Sequence, residues 1–303
     1  MNQYQISNLL STDQMHRLVM DGDRFLADQM RATSRNIAKA SDQRLIGLTG
    51  PTCSGKTTAA RLFTDYMESH GHCVHVISVD DFYFDKDYLK KRADDDPNIE
   101  IDYDSEDTID ADLLAEKTES LLACKPTRLP RFDFRSGLRV DGVTVTPQAG
   151  DIFLFEGIQI LYPRVREILS GTAYHSIYIS PVSSIEVGGE VFLPNEIRLM
   201  RRLVRDFRYR ASDPAFTFYL WQSVRENEEK SIFPYADTCH EKIDSTMPYE
   251  IGMLKPYLNA ILPQVMPQDR SYESAQALLQ KIQSVQTIPS SLIADQSLYK
   301  EFI

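Results

Sequence analysis

The sequence predicts an α/β fold, a parallel sheet with helices on both faces, plus a β-hairpin and helical N- and C-terminal extensions. Three observations predict it. Leu45 to Thr58 reads as a buried strand, a glycine loop and a helix start. A second apolar strand, Cys73 to Ser78, follows that helix; this β–α–β order implies parallel strands with a right-handed crossover. Further short apolar strands at 151–157 and 174–179 alternate with helical segments, the signature of a sheet covered on both sides.

The first strand and its loop organise the chain. Gly50, Gly55, Lys56 and Thr57 match G-x-x-x-x-G-K-[ST], with Pro51, Thr52, Cys53 and Ser54 between the glycines and Thr58 following. Glycines at this spacing let the backbone curl so that successive N–H groups point at one phosphate. Lys56 can then reach the outer phosphates, and the Thr57 hydroxyl can sit on Mg²⁺. After the loop, Ala59, Leu62, Phe63, Tyr66 and Met67 recur at the spacing of a helix with one apolar face. Strand, loop and helix N-terminus together make an anion site.

Composition narrows the function classes. The net charge of −11 argues against general nucleic-acid binding, which needs a broad basic surface, but leaves room for a local cationic pocket. No run approaches the roughly 18 apolar residues of a membrane span. The start of the chain has no basic segment followed by an apolar one, so no signal peptide is expected. Cys53, Cys73, Cys124 and Cys239 show no metal-ligand spacing, and a reduced cytoplasmic setting is the simplest expectation.

Residues 12–38 are expected to be helical, capped by Ser11 or Thr12, with Met15, Leu18, Val19, Phe25 and Leu26 as the apolar stripe and Gly22 as a weak point. The strand ending at Ser78 leads into Asp80 and Asp81. In a parallel sheet its carboxyl end shares the crevice of the phosphate loop, so both carboxylates are expected near the phosphates. Residues 85–112 are acidic and are expected to form mostly a solvated loop before a helix through Leu113, Leu114, Leu121 and Leu122. Residues 127–146 alternate as a hairpin, with a tight turn expected at Asp141-Gly142. The strand 151–157 ends in Glu156, a candidate Mg²⁺ partner at the mouth of the crevice. His175 in the next strand has no visible partner and is expected to be structural.

From 195 to 210 an apolar stripe of Ile197, Met200, Leu203, Val204 and Phe207 faces one way. Arg198, Arg201, Arg202, Arg205, Arg208 and Arg210 occupy other positions: six arginines in thirteen residues of an acidic protein. The guanidinium fork suits phosphate oxygens, so phosphate binding is the favoured reading; pairing with the acidic segment 94–112 is the other. A further helix at 215–232 is anchored by Trp221. Helical segments broken by Pro248, Pro256 and Pro263 run to about 284, and the partly apolar tail 288–303 is expected to dock.

Taken together these stretches resemble the uridine kinase and phosphoribulokinase family of P-loop kinases over residues 44–255. They are most similar to the bacterial uridine-kinase-like branch, in which helices follow the core; that extends the similarity to residue 303. The matching pieces are 50–58, Ser78 to Tyr83, Phe132 to Phe134 with Arg139, Phe155 to Gly157, and Arg198 to Asp206, with Pro234-Tyr235 and Tyr249-Glu250. The resemblance implies ATP as donor and Mg²⁺ held by Thr57 and Glu156. It implies Asp80 as general base, and Arg202, Arg205 and Arg210 as lid arginines over the phosphates. Asp104 falls where the family binds sugar hydroxyls; Tyr83, Phe132 and Arg139 fall where it closes on the nucleoside. The chain departs from animal uridine kinases at Phe132 and Gly137, where they carry a tyrosine and a histidine that help read the pyrimidine, and Ser212 replaces a second lid arginine.

The expected layout is a helical lead-in (1–43), a kinase core (44–255) with its hairpin at about 127–146 and arginine-rich lid helix at about 195–212, and a C-terminal helical extension (256–303). The favoured function is Mg·ATP-dependent phosphoryl transfer to a nucleoside 5′-hydroxyl. The partner is then a small-molecule substrate rather than nucleic acid or membrane, and a homo-oligomer remains open. Two alternatives stand beside it. One is a kinase of a sugar phosphate or other small alcohol, for which Arg131, Arg135 and Arg139 could supply the extra cationic site. The other is a nucleotide-binding regulatory protein that has lost its acceptor chemistry; intact Lys56, Thr57, Asp80 and Glu156 argue against it.

Overall fold

A computed structural model of the chain describes residues 3–7, 9–40, 42–95, 106–170 and 174–303. A short strand, β1 (Gln3–Ile6), precedes a long helix, α1 (Thr12–Lys39). Ser11 caps α1: its hydroxyl accepts the Gln14 N–H while the Gln14 side chain accepts the Ser11 N–H, satisfying two otherwise orphaned donors. Gly22 does not interrupt the helix. A Cβ there would stand 2.8 Å from the Tyr249 ring, so the glycine serves close packing.

The phosphate-loop strand is β2 (Leu45–Thr49), followed by α2 (Lys56–Ser69) and β3 (Val74–Ser78). Next come α3 (Lys86–Asp95), α4 (Ala111–Leu122) and the hairpin β4 (Thr127–Asp133) with β5 (Leu138–Val145). Then follow β6 (Ile152–Glu156), α5 (Pro163–Leu169), β7 (Tyr174–Ser180) and the small strands β8 (Ser184–Val187) and β9 (Glu190–Phe192). The chain continues through α6 (Pro194–Arg210), α7 (Pro214–Ser231), α8 (Phe233–Ala236) and β10 (Glu241–Asp244) to α9 (Glu250–Ile261) and α10 (Tyr272–Lys281).

Five parallel strands form the main sheet in the order β10-β7-β2-β6-β3. Side chains on a strand alternate between faces, and the two cores divide accordingly. Ile46, Leu48, Ile152 and Leu154 join one core; Leu45, Phe153 and Phe155 join the other. The first core also takes in α1, α9, α10 and the tail, where Leu298, Tyr299 and Phe302 are buried. β2 lies between β6 and β7, so its loop opens at the point where the chain turns to opposite sides of the sheet, the usual place for a ligand crevice.

Three local expectations are corrected. The hairpin turn is at 134–137, not at Asp141-Gly142. Asp133 holds that turn by accepting the Arg135 N–H and the Ser136 hydroxyl, and Gly137 takes the left-handed φ of +72°. Gly142 instead lies within β5 beside an irregularity in the pairing, where a Cβ would meet the Leu129 and Pro130 carbonyls at 2.8 and 2.9 Å. Pro256 does not break a helix. It removes one intrahelical donor inside α9, and the Gly252 carbonyl left over accepts the Ile288 N–H at 3.0 Å. The acidic stretch is not all loop either: α3 forms there, and among its described side chains Leu89 is the one apolar group buried, where an amphipathic pattern would show several.

Candidate active site

The loop 50–57 needs both its glycines. A Cβ on Gly50 would stand 2.0 Å from the Ile179 carbonyl oxygen. Gly55 has φ of +93°, and a Cβ there would stand 2.3 Å from a Leu298 methyl. α2 begins at Lys56 with no side-chain cap on Gly55 and no acidic residue of its own in the first turn, so its N-terminal N–H groups need partners from outside the helix. Lys56 Nζ donates to the Gly50 and Pro51 carbonyls at 2.9 and 3.1 Å. Burial makes its ammonium easier to deprotonate, against the opposing pull of Glu156 and Asp80.

This loop floors a cavity of about 1090 Å³. Thr52, Cys53, Ser54, Gly55, Lys56 and Thr57 line it from the loop side. Asp80 and Tyr83 reach it from the turn after β3, and Glu156 from the end of β6. Asp81 does not join Asp80: its Oδ1 accepts the Phe132 N–H at 2.9 Å and ties the hairpin to the core. Two neighbours in sequence thus separate into a cavity carboxylate and a hairpin anchor.

The hairpin contributes Phe134 and Arg135 to the wall. Phe132 is buried behind it, edge-on to the Tyr83 ring at 5.5 Å. Arg139 is outside the wall as well, with its guanidinium on Asp110 at 2.8 Å and its N–H on Asp85 at 2.6 Å. Asp104 lies outside the described residues.

Five of the six arginines of α6 divide into two sets, with Arg202 apart from both. Arg198 and Arg201 are fully buried, paired with Glu228 and Glu250. They also brace the loop from behind: Arg198 Nε donates to the Thr52 carbonyl at 2.9 Å, and Arg201 to the Cys53 carbonyl at 3.2 Å. Arg205, Arg208 and Arg210 line the cavity. Arg202 lies outside its wall, bonded to Asp206 at 3.2 Å; the same buried carboxylate also pairs with Arg205 at 2.7 Å and Arg210 at 3.6 Å. Among the described residues none of the six pairs with the acidic segment.

Two residues that carry no sequence signal complete the cavity. Gln159 is buried below it, with Nε2 donating to Asp80 Oδ1 at 2.5 Å and to the Tyr83 hydroxyl at 2.6 Å. Glu301 reaches back from the tail and accepts the Thr58 N–H at 2.6 Å and the Thr58 hydroxyl. Glu301 lines the cavity and Thr58 beneath it does not; Pro51 also lies outside the wall.

The oxygen donors fit a small hard cation. Thr57 and Glu156 face the same space as Asp80. Burial pushes the Glu156 carboxyl above its ordinary range; Lys56 opposes this, and Asp80 and Glu301 add to it. A divalent cation would relieve that strain on the ionised form. At the opposite ends of the strands, Cys73, His75 and Asp151 bring donor atoms within 4.8 Å of one another, a cluster the cysteine spacing did not reveal. There Asp151 Oδ2 already accepts from His75 Nε2 at 2.8 Å and from the Gln148 N–H at 2.9 Å, so it serves as a turn anchor.

Comparison with known proteins agrees with this architecture. Residues 45–249 match the family model described as Phosphoribulokinase / Uridine kinase family. A uridine kinase of Clostridium perfringens (strain SM101) is 32% identical over 167 residues, 54% of this chain and 69% of that protein. One of Clostridium botulinum (strain Kyoto) is 30% identical over 200 residues, 64% of this chain and 85% of that protein. A solved structure from Silicibacter sp. TM1040, named for a fructose transport system kinase, shares the fold with a TM-score of 0.53 at 18% identity, covering 70% of this chain and 98% of that one. With the phosphate loop, the cavity carboxylates and the match over most of its length, the chain is an ATP-dependent kinase and belongs to the phosphoribulokinase and uridine kinase family.

Proposed function

We propose that this kinase transfers the terminal phosphoryl group of Mg·ATP to the 5′-hydroxyl of a nucleoside. The observation that carries the reading is the sharing of one cavity by Lys56 and Asp80, a cation on the phosphate side and a carboxylate on the acceptor side. Phosphoryl transfer asks for positioning and charge neutralisation rather than covalent chemistry from the protein. The loop N–H groups and Lys56 take the phosphates. Arg205 and Arg210 cover them from α6, with Arg208 beside them. Thr57 and Glu156 hold Mg²⁺, which when bound supplies positive charge against the phosphate oxygens. Asp80 orients the acceptor hydroxyl and takes its proton, with Tyr83 and the hairpin as the acceptor-side wall. The uridine kinases among the relatives support a nucleoside as the acceptor class.

One observation favours a second reading. Arg135 stands in the cavity wall at the hairpin turn, where a phosphorylated sugar would find a further cation. The test is ATP consumption with Mg²⁺ against uridine, cytidine, other nucleosides, sugar phosphates and sugar alcohols, with Lys56→Ala as the blank. Lys56-dependent turnover of a nucleoside supports the first reading. Turnover confined to a sugar phosphate replaces it with the second.

A further inference from the structure

The side chain beneath the acceptor end of the cavity is an amide in a place where an apolar residue would pack with less penalty. Gln159 follows Glu156 and Gly157 in the short turn after β6 and is fully buried. Its Nε2 has two protons and two acceptors: Asp80 Oδ1 at 2.5 Å and the Tyr83 hydroxyl at 2.6 Å. The orientation of the amide follows from chemistry, because the flipped form would press a carbonyl oxygen against an ionised carboxylate. Its Oε1 has no hydrogen-bond partner among the described residues. It lies 2.4 Å from where a Cβ on Gly157 would stand, so Gly157 makes the room. A leucine or methionine here would avoid burying an unpaired oxygen. What the amide offers in return is its Nε2.

From this arrangement we infer that Gln159 is the positioning residue for Asp80: it engages Oδ1 and leaves Oδ2 to receive the acceptor proton. The inference rests on the kinase reading above, with Asp80 as base. Among the described residues Gln159 is the one side chain bonded to the Asp80 carboxylate. Lys56, the nearby cation, donates instead to the loop carbonyls. Without Gln159 the carboxylate is free to turn about its own bond. A general base acts only when its oxygen is within hydrogen-bond reach of the proton it removes. The same amide fixes Tyr83, which packs on Phe132, so the base and the acceptor-side wall are set by one group. As the hydroxyl oxygen bonds to the terminal phosphorus and the bond to the ADP oxygen breaks, the hydroxyl proton passes to Oδ2.

The experiment compares wild type, Gln159→Met, Asp80→Asn and the double variant, with Mg·ATP and the alcohol that turns over fastest in the panel above. Turnover, KM for ATP and thermal midpoint are read for each. The expected result is a fall in kcat of about 10–100-fold for Gln159→Met, with KM for ATP unchanged and folding retained. Added to Asp80→Asn, Gln159→Met should lower the residual rate no further, because the group it positions is gone. Should Gln159→Met fold poorly, Gln159→Asn keeps the amide but shortens its reach and is expected to lower kcat in the same way. Full turnover in Gln159→Met beside a crippled Asp80→Asn overturns this inference alone. An equal loss from Gln159→Met on both backgrounds also overturns it, by showing a purely structural role. Near-normal turnover of Asp80→Asn removes the base reading itself, and the inference with it.

Discussion

Glu301 accepts the backbone N–H of Thr58 at 2.6 Å. The two residues are 243 positions apart in sequence, yet the contact puts a carboxylate on the first turn of the helix that the phosphate loop feeds. It is held there by its neighbours. Leu298, Tyr299 and Phe302 are buried, Leu298 against Gly55, and the Tyr299 hydroxyl donates to Glu250, the partner of Arg201. A carboxylate at a helix N-terminus is stabilised as a phosphate would be.

An anion already on this N–H competes with an incoming one. Glu301→Ala should therefore tighten the binding of Mg·ATP and of pyrophosphate, by about 3- to 10-fold if a helix-terminus charge of roughly 1 kcal/mol is released. Isothermal titration calorimetry on both proteins decides it. Weaker binding in the variant would show that Glu301 assists the ligand.

Asp80→Asn keeps the size of the side chain and removes its capacity to take a proton. Turnover should fall by about 10²–10⁴-fold, the usual contribution of a positioned base, while ATP affinity stays within a few-fold. Steady-state kinetics and direct ATP titration separate the two effects.

The division of the α6 arginines predicts opposite phenotypes. Arg201→Ala leaves the buried Glu250 without its partner, a loss of about 3–5 kcal/mol in unfolding free energy. Arg210 is 60% exposed, so Arg210→Ala should leave the denaturation midpoint nearly unchanged and lower turnover instead. Denaturant titration beside a kinase assay checks both variants. A stable Arg201→Ala would contradict the bracing role.

Glu156 links stability to pH. Burial raises its carboxyl in the folded state above the ordinary 4.5, so ionising it weakens the folded protein. That stabilising contribution is present in full below the ordinary value and is lost as pH rises through the raised one. Glu156→Gln, which mimics the protonated form, should melt higher than wild type at neutral pH without nucleotide. The gap should close as pH falls below about 4.5, the ordinary carboxyl value. Thermal melts across pH measure this directly. The same variant should lose Mg²⁺-dependent turnover.

The parts legible in the sequence are those whose physics is local. The phosphate loop is contiguous, its glycines are demanded by backbone conformation and close approach, and its lysine and threonine follow at a spacing set by the helix start. The strands are short apolar runs, and the order in which they alternate with helices selects a parallel sheet. The hairpin itself was legible and its turn was not. Asp141-Gly142 has turn composition, but Gly142 is required by the close approach of the Leu129 and Pro130 carbonyls.

Where a partner comes from a distant stretch, the sequence is silent. Six arginines on one helix look alike until Glu228 and Glu250 fold back to bury two of them. Asp80 and Asp81 are equivalent as neighbours and diverge because the backbone turn aims one at the cavity and the other at the Phe132 N–H. Gln159 belongs to no motif, and its amide acquires meaning only because Asp80 and Tyr83 arrive within hydrogen-bond distance. By itself the sequence determined the sheet, the anion loop and the class of chemistry, because these follow from nearest-neighbour conformation and side-chain alternation. The tertiary structure alone decided which charges face the cavity and which are buried in pairs, because that depends on which distant groups desolvate each one.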